Sequence, residues 1–78
     1  MKKKKTWRLI GTGFDFDNNI ICDIICEETQ LLKSVIIKNS EKSREVLQRI
    51  LENDNRFLIP KSIFVSSEII RIKTLSIN

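Results

Sequence analysis

Seventy-eight residues make one domain, and a chain this short buries only about 60 % of the surface its unfolded form exposes, so its core is thin. A hydrophobic content of 41 % and a charged content of 31 % exclude a disordered chain, and no apolar run approaches the roughly 18 residues of a membrane-spanning helix. The net charge of +4 belongs to the first eight residues: Lys2, Lys3, Lys4, Lys5 and Arg8 precede any acid, and nine bases face ten acids in the rest.

Residues 1–5 therefore read as a flexible basic arm, and residues 6–78 as a single domain. Lysines of this kind also open signal peptides. Here Trp7-Arg8 and Gly11-Thr12-Gly13 interrupt any apolar stretch, so a cytoplasmic location is expected. Thr6 to Phe16 alternates as a strand, with Arg8, Ile10, Thr12, Phe14 and Phe16 on one face and Trp7 and Leu9 on the other. Asp15 to Asn19 is dense in turn formers, and Asn19 to Glu28 returns as a second strand. Glu27 to Gln30 makes another turn, followed by a third strand from Leu31 to Lys38.

Asn39 or Ser40 can cap a helix, with Glu41 in its first turn. Val46, Leu47, Ile50 and Leu51 supply its apolar stripe, Glu45 and Arg49 a favourable pair, and Asn53-Asp54-Asn55 its end. Beyond it lie a short Phe57-Leu58-Ile59 strand, a stop at Pro60, Ile63-Phe64-Val65, and a last strand from Ile69 to Ile77. The order βββαββ with hairpin-length connections predicts an α+β fold, one helix packed on one face of a small, mostly antiparallel sheet. A helical reading of residues 20–37 competes, because short apolar runs are ambiguous.

The second strand is apolar on both sides. Ile20, Cys22, Ile24 and Cys26 share one face; Ile21, Asp23, Ile25 and Glu27 share the other. Such a strand is central, and a single helix covers only one face of its sheet. A second copy of the chain is the expected cover for the other, which predicts a homo-oligomer.

Chemistry-bearing patterns are weak. Cys22 and Cys26 lie ~13 Å apart on a strand, too far for a disulfide, and neither His nor a third Cys is present to complete a metal site. They read as core residues. Asp15, Asp17, Asn19 and Asp23 match positions of a calcium loop, but Ile20 replaces its glycine and Cys26 its final glutamate. Gly11-Thr12-Gly13 lacks the remaining features of a phosphate cradle and marks a bulge or close crossing instead. Without His there is no default general base, and Asp23 and Glu27, which share a strand face as a carboxylate pair would, read equally well as a solvated edge. Neither catalysis, a cofactor nor a metal is expected.

Ile, Lys and Asn supply 29 of the 78 residues and Ala is absent. That usage follows AT-rich coding, as in AT-rich bacteria, their phages and mobile elements. Three functional classes follow. The first is a non-enzymatic binding protein acting by protein contact, such as a phage- or element-encoded inhibitor of a host defence system. The second is a nucleic-acid binder, with Lys4 and Lys5 neutralising phosphates and Trp7 and Arg8 stacking on bases. The third is an oligomeric sponge for a small anionic ligand such as a nucleotide, bound by Arg8, Arg71 and Lys73. A membrane partner is not expected, since a polybasic arm without an apolar anchor holds a bilayer weakly.

Overall fold

The computed structural model describes residues 5–58 and 68–75. Five strands and one helix follow the chain as β1 (Trp7–Phe14), β2 (Ile20–Cys26), β3 (Leu32–Ile37), α1 (Glu41–Glu52), β4 (Arg56–Phe57) and β5 (Ile69–Thr74). They form a five-stranded antiparallel sheet in the order β4-β1-β2-β3-β5 with α1 packed on one face. The α+β class and the βββαββ order match the sequence reading. Residues 20–37 are two strands and not a helix. Lys2 to Lys4, Ile59, Pro60, Ile63-Phe64-Val65 and Ile77 lie outside the described residues.

β2 is the central strand, and its alternation sets the core. Ile20, Cys22, Ile24 and Cys26 are all buried on the helix side. Directly opposed residues of antiparallel strands share a face, so the pairs Trp7–Cys26, Leu9–Ile24, Cys22–Val35 and Ile20–Ile37 extend that core into β1 and β3. Phe57 of β4, opposite Trp7, closes one margin; Ile69 and Ile72 of β5, opposite Ile37 and Val35, pack against the core at the other.

Strict alternation fails in β1. The pairing passes from Leu9–Ile24 to Gly11–Asp23 and leaves Ile10 as the extra residue of a bulge. One extra residue reverses the phase of every side chain beyond it. Thr12 and Phe14, opposite Cys22 and Ile20, therefore lie on the helix side with Trp7 and Leu9. Arg8 shares the opposite face with Gly11 and Gly13, which corrects the single face drawn through Arg8, Thr12 and Phe14. A second bulge, at Ile70, lies between the pairs Ile36–Arg71 and Ile37–Ile69.

The helix begins where a side chain satisfies its first free amides. Ser40, in extended backbone (φ −117°, ψ 167°), accepts from the Ser43 N–H at 3.2 Å, and its own hydroxyl donates to the Glu68 carboxylate. Asn39 accepts from the Arg44 guanidinium at 2.8 Å and is not the cap. The buried positions are Ser43, Val46 and Ile50 and Leu47 is half-buried against the core, so the expected stripe keeps three members, loses the exposed Leu51 and gains Ser43. At the other end Asn53 N–H donates to Arg49 and Ile50 carbonyls, while Asp54 (φ 59°) and Asn55 (φ 63°) turn the chain through left-handed backbone that Asx residues tolerate. Both described ion pairs converge on Glu27, so the expected Glu45–Arg49 pair is not formed.

The β1–β2 connection is held by Asp15. Its carboxylate accepts from Asn19 N–H (2.8 Å), Asp17 N–H (2.9 Å) and the Asn19 side-chain amide (3.2 Å). The Asn19 backbone amide foremost, with the others, holds this carboxyl below its ordinary value of 3.8.

This packing sets the cost of two substitutions. Ile50→Ala should cost ~2–4 kcal/mol in urea unfolding, whereas Leu51→Ala, one residue on but solvent-facing, should stay within ~0.5 kcal/mol. Asp15→Ala should destabilise the domain at neutral pH. Because the folded carboxyl is the stronger acid, its contribution is complete above the unfolded value and lost as pH falls through the folded one. The gap between wild type and variant should therefore close below about pH 4 in a pH series of melts.

Candidate functional site

The sheet face opposite α1 collects most of the expected site residues. Three rows cross it, read from the pairings. The first is Arg56–Arg8–Ile25–Leu32, the second Gly11–Asp23–Ser34–Lys73, the third Gly13–Ile21–Ile36–Arg71. Ile21, Ile25, Leu32 and Ile36 are half-buried and form an apolar centre, with Asp23 and the buried Ser34 between them. Among the described residues no helix lies over this face.

Cations stand at both margins. On one side Arg8 Nε and Arg56 Nε reach the same Glu27 oxygen at 3.1 and 3.2 Å, with all three side chains a third to a half exposed. Pairs this exposed contribute little to stability, about 0–1 kcal/mol each. What they do is hold two guanidinium groups side by side, each with further N–H donors to spare. On the other side Arg71 and Lys73 are exposed on β5, three strand spacings from β1, roughly 14 Å. The face thus carries four cations against the two carboxylates Asp23 and Glu27.

Arg8, Arg71 and Lys73 do share one face, as the anion-binding reading requires. They stand at opposite margins, so one small anion cannot touch all three within one chain. Lys5 is exposed and Lys4 lies outside the described residues. Trp7 corrects the stacking reading: it is 6 % exposed in the core, opposite Cys26 and Phe57, and Lys33 Nζ lies 5.4 Å from its ring centroid. A large indole facing the small Cys26 side chain fills the core, and no open ring face is left for a base.

Sequence reasoning missed Arg56 and the role of Glu27. Their meeting with Arg8 depends on β4 pairing back to β1 across the whole helix, and no local pattern announces that. The two carboxylates that share a strand face in the sequence both stay on this side, Asp23 on β2 and Glu27 in the following turn between the two arginines. Glu28 accepts from the Thr6 N–H at 2.9 Å, a bond that holds its carboxyl below the ordinary range.

Among the described residues no group of three or more Asp, Glu, Cys or His side chains is placed to hold a metal ion, and no helix is long and apolar enough to cross a membrane. The oxygens of Asp15 are taken up by the amides of its own turn. Cys22 and Cys26 are free and buried. Burial, with the neighbouring Asp23 charge second, pushes the Cys22 thiol up to about 12. A cavity of about 410 Å³ lies between the end of α1 and β4; none of the expected site residues lines it, and Arg56 joins it to the cation-rimmed face. It adjoins Leu58, the last described residue before residue 68.

No family model, curated protein or solved structure matches this chain.

Since the thiolate is the reactive form, Cys22 should resist alkylation in the native protein at pH 8 and react at the rate of a free thiol once the chain is unfolded. Rapid native labelling at Cys22, located by peptide mass analysis, would contradict its burial.

Proposed function

We propose that this chain is a binding protein that works by contact with another protein, and that the sheet face opposite α1 is the contact surface. The supporting observation is the arrangement of that face: an apolar centre of Ile21, Ile25, Leu32 and Ile36 between two cationic margins, Arg8 with Arg56 and Arg71 with Lys73. Apolar surface flanked by charge is what a protein interface requires, because the centre supplies desolvation energy and the rim supplies orientation. The partner it suits presents apolar side chains ringed by carboxylates. An inhibitor carried by a phage or mobile element is one form of this reading, and that narrower form rests on residue usage alone.

The two other classes have less support. With Trp7 in the core, nucleic-acid binding by the arm loses its stacking ring and keeps the lysines and Arg8, whose guanidinium is paired with Glu27. An anionic-ligand sponge needs the two cationic margins to be brought together by more than one chain.

The test is capture of a partner from extract of the source cells, with and without nuclease treatment, on the immobilised full chain, compared with Arg71→Glu/Lys73→Glu. Both side chains are exposed, so the fold should persist by circular dichroism. Retention should fall more than tenfold in the variant, and wild-type retention should weaken as salt rises. Equal retention by both proteins would remove this face from the reading. Retention lost only on nuclease treatment would favour the arm.

A further inference from the structure

We infer that the outer edge of β1 is a second contact surface, separate from the cation-rimmed face, and that its occupant is β1 of a second copy of this chain. β4 is only two residues long and pairs with Trp7 and Arg8. Leu9 N–H donates to the Asn55 carbonyl at 2.7 Å, and among the described residues that bond is the last one on this side. From Ile10 to Phe14 no described residue pairs with the outer edge of β1. Asp15 N–H donates inward to the Asn19 carbonyl at 3.1 Å. Alternation along the strand then points the N–H and C=O groups of Phe14 and Thr12 outward, away from β2.

Natural sheets protect such edges with charge, proline or cover. Beyond the bulge at Ile10, no described residue covers this edge, and Ile10-Gly11-Thr12-Gly13-Phe14 contains no ionisable side chain and no proline. It is surrounded by exposed apolar groups instead. Ile10 is 53 % exposed, Phe14 65 % and Leu51 of α1 55 %, and Phe16 in the following turn is fully exposed.

The order of these residues is what selects a second copy over an unrelated strand. The segment reads apolar–Gly–Thr–Gly–apolar, nearly the same in both directions. An antiparallel copy related by a two-fold axis at Thr12 sets Thr12 opposite Thr12, Gly11 opposite Gly13, and Ile10 opposite Phe14. Thr–Thr and aromatic–β-branched pairs of this kind are favourable across strands. A two-fold interface also needs every knob to meet a hole on the same patch. Beside Ile10 lies a cavity of about 140 Å³, lined by Leu9, Ile10, Gly11, Thr12, Leu51 and Asn55. That is room for one phenyl ring, since a cavity of roughly 150 Å³ holds benzene. The hole lies on the Ile10 side of Thr12 and Phe14 on the other side, so the two-fold brings each copy's Phe14, opposite Ile10, to the other's hole.

The size is sufficient. Phe14 and Phe16 leave on the order of 300 Å² exposed per copy. With Ile10 and Leu51 from both copies, the pair would bury roughly 1,000 Å², where specific interfaces begin. The product is a ten-stranded sheet with both helices on one side and the cation-rimmed faces of both copies on the other.

Sedimentation equilibrium on the full chain tests this, with Thr12→Lys and Phe16→Asp as variants at exposed positions that no core contact uses. Wild type should have twice the 9.1 kDa mass of the chain at high micromolar concentration, and both variants should remain at 9.1 kDa with unchanged circular dichroism. Thr12→Cys supplies a geometric check. A two-fold at this residue places the two Cα atoms about 5.5 Å apart, within disulfide range. Mild oxidation should link the two copies far faster than it links a control such as Lys42→Cys on the exposed side of α1. A wild type that stays at 9.1 kDa at every concentration would overturn the inference. So would a dimer indifferent to Thr12→Lys and Phe16→Asp, or one dissolved only by Arg71→Glu/Lys73→Glu.

Discussion

The domain depends on one strand that must be buried along a whole side. Ile20, Cys22, Ile24 and Cys26 put large and small side chains in alternation on the helix face of β2, and each is at most 4 % exposed. Burying an isoleucine of this kind fully is worth about 1.5–3 kcal/mol, a sizeable share of what a small domain has. The small cysteines also decide what lies beside them. Trp7 fits opposite Cys26 because the neighbour is short, and Val35 packs beside Cys22 for the same reason. β1 and β3 are held by this alternation, and α1 covers it with Val46 and Ile50. The burial that raises the Cys22 thiol is thus a by-product of packing.

The bulge at Ile10 does for β1 what a regular strand could not. Without it, Thr12 and Phe14 would lie on the face of Arg8, and the two glycines on the helix side. With it, the glycines fall on the face opposite α1 beside Asp23 and Ile21, where they add no side chains, and the β1 margin of that face is left to Arg8. The same irregularity separates the half of β1 that pairs with β4 from the half that does not. One extra residue therefore defines both the cation-rimmed face and the open strand edge.

How much of this could be read from residues alone depended on the range of the interactions. The three-strand meander and the helix were legible because hairpin turns, the Ser40 cap and the Asn53-Asp54-Asn55 stop are local signals. The centrality of β2 was legible because a strand apolar on both faces is stable only with neighbours on either side of it. The phase of β1 was not, since a bulge is invisible to a period-2 reading, although Gly11 marked its place. Trp7 was misjudged because an aromatic beside lysines looks the same in sequence whether its strand face is inward or outward. Only the pairing with Cys26 and Phe57 decides. The Arg8–Glu27–Arg56 cluster was beyond reach for the same reason: it joins residues 29 positions apart.

The strand directions have a final geometric result. β1 starts with Trp7 at the end of the sheet where β2 finishes and β3 begins, and β5 arrives at that same end with Thr74. The chain thus enters and leaves the described fold at one pole, about 14 Å apart. The Asp15–Asn19 turn and Phe16 occupy the opposite pole. Anything fused or anchored at either terminus would hold the domain by the first pole and present the second outward, so a tether need not obstruct the phenylalanine-bearing tip.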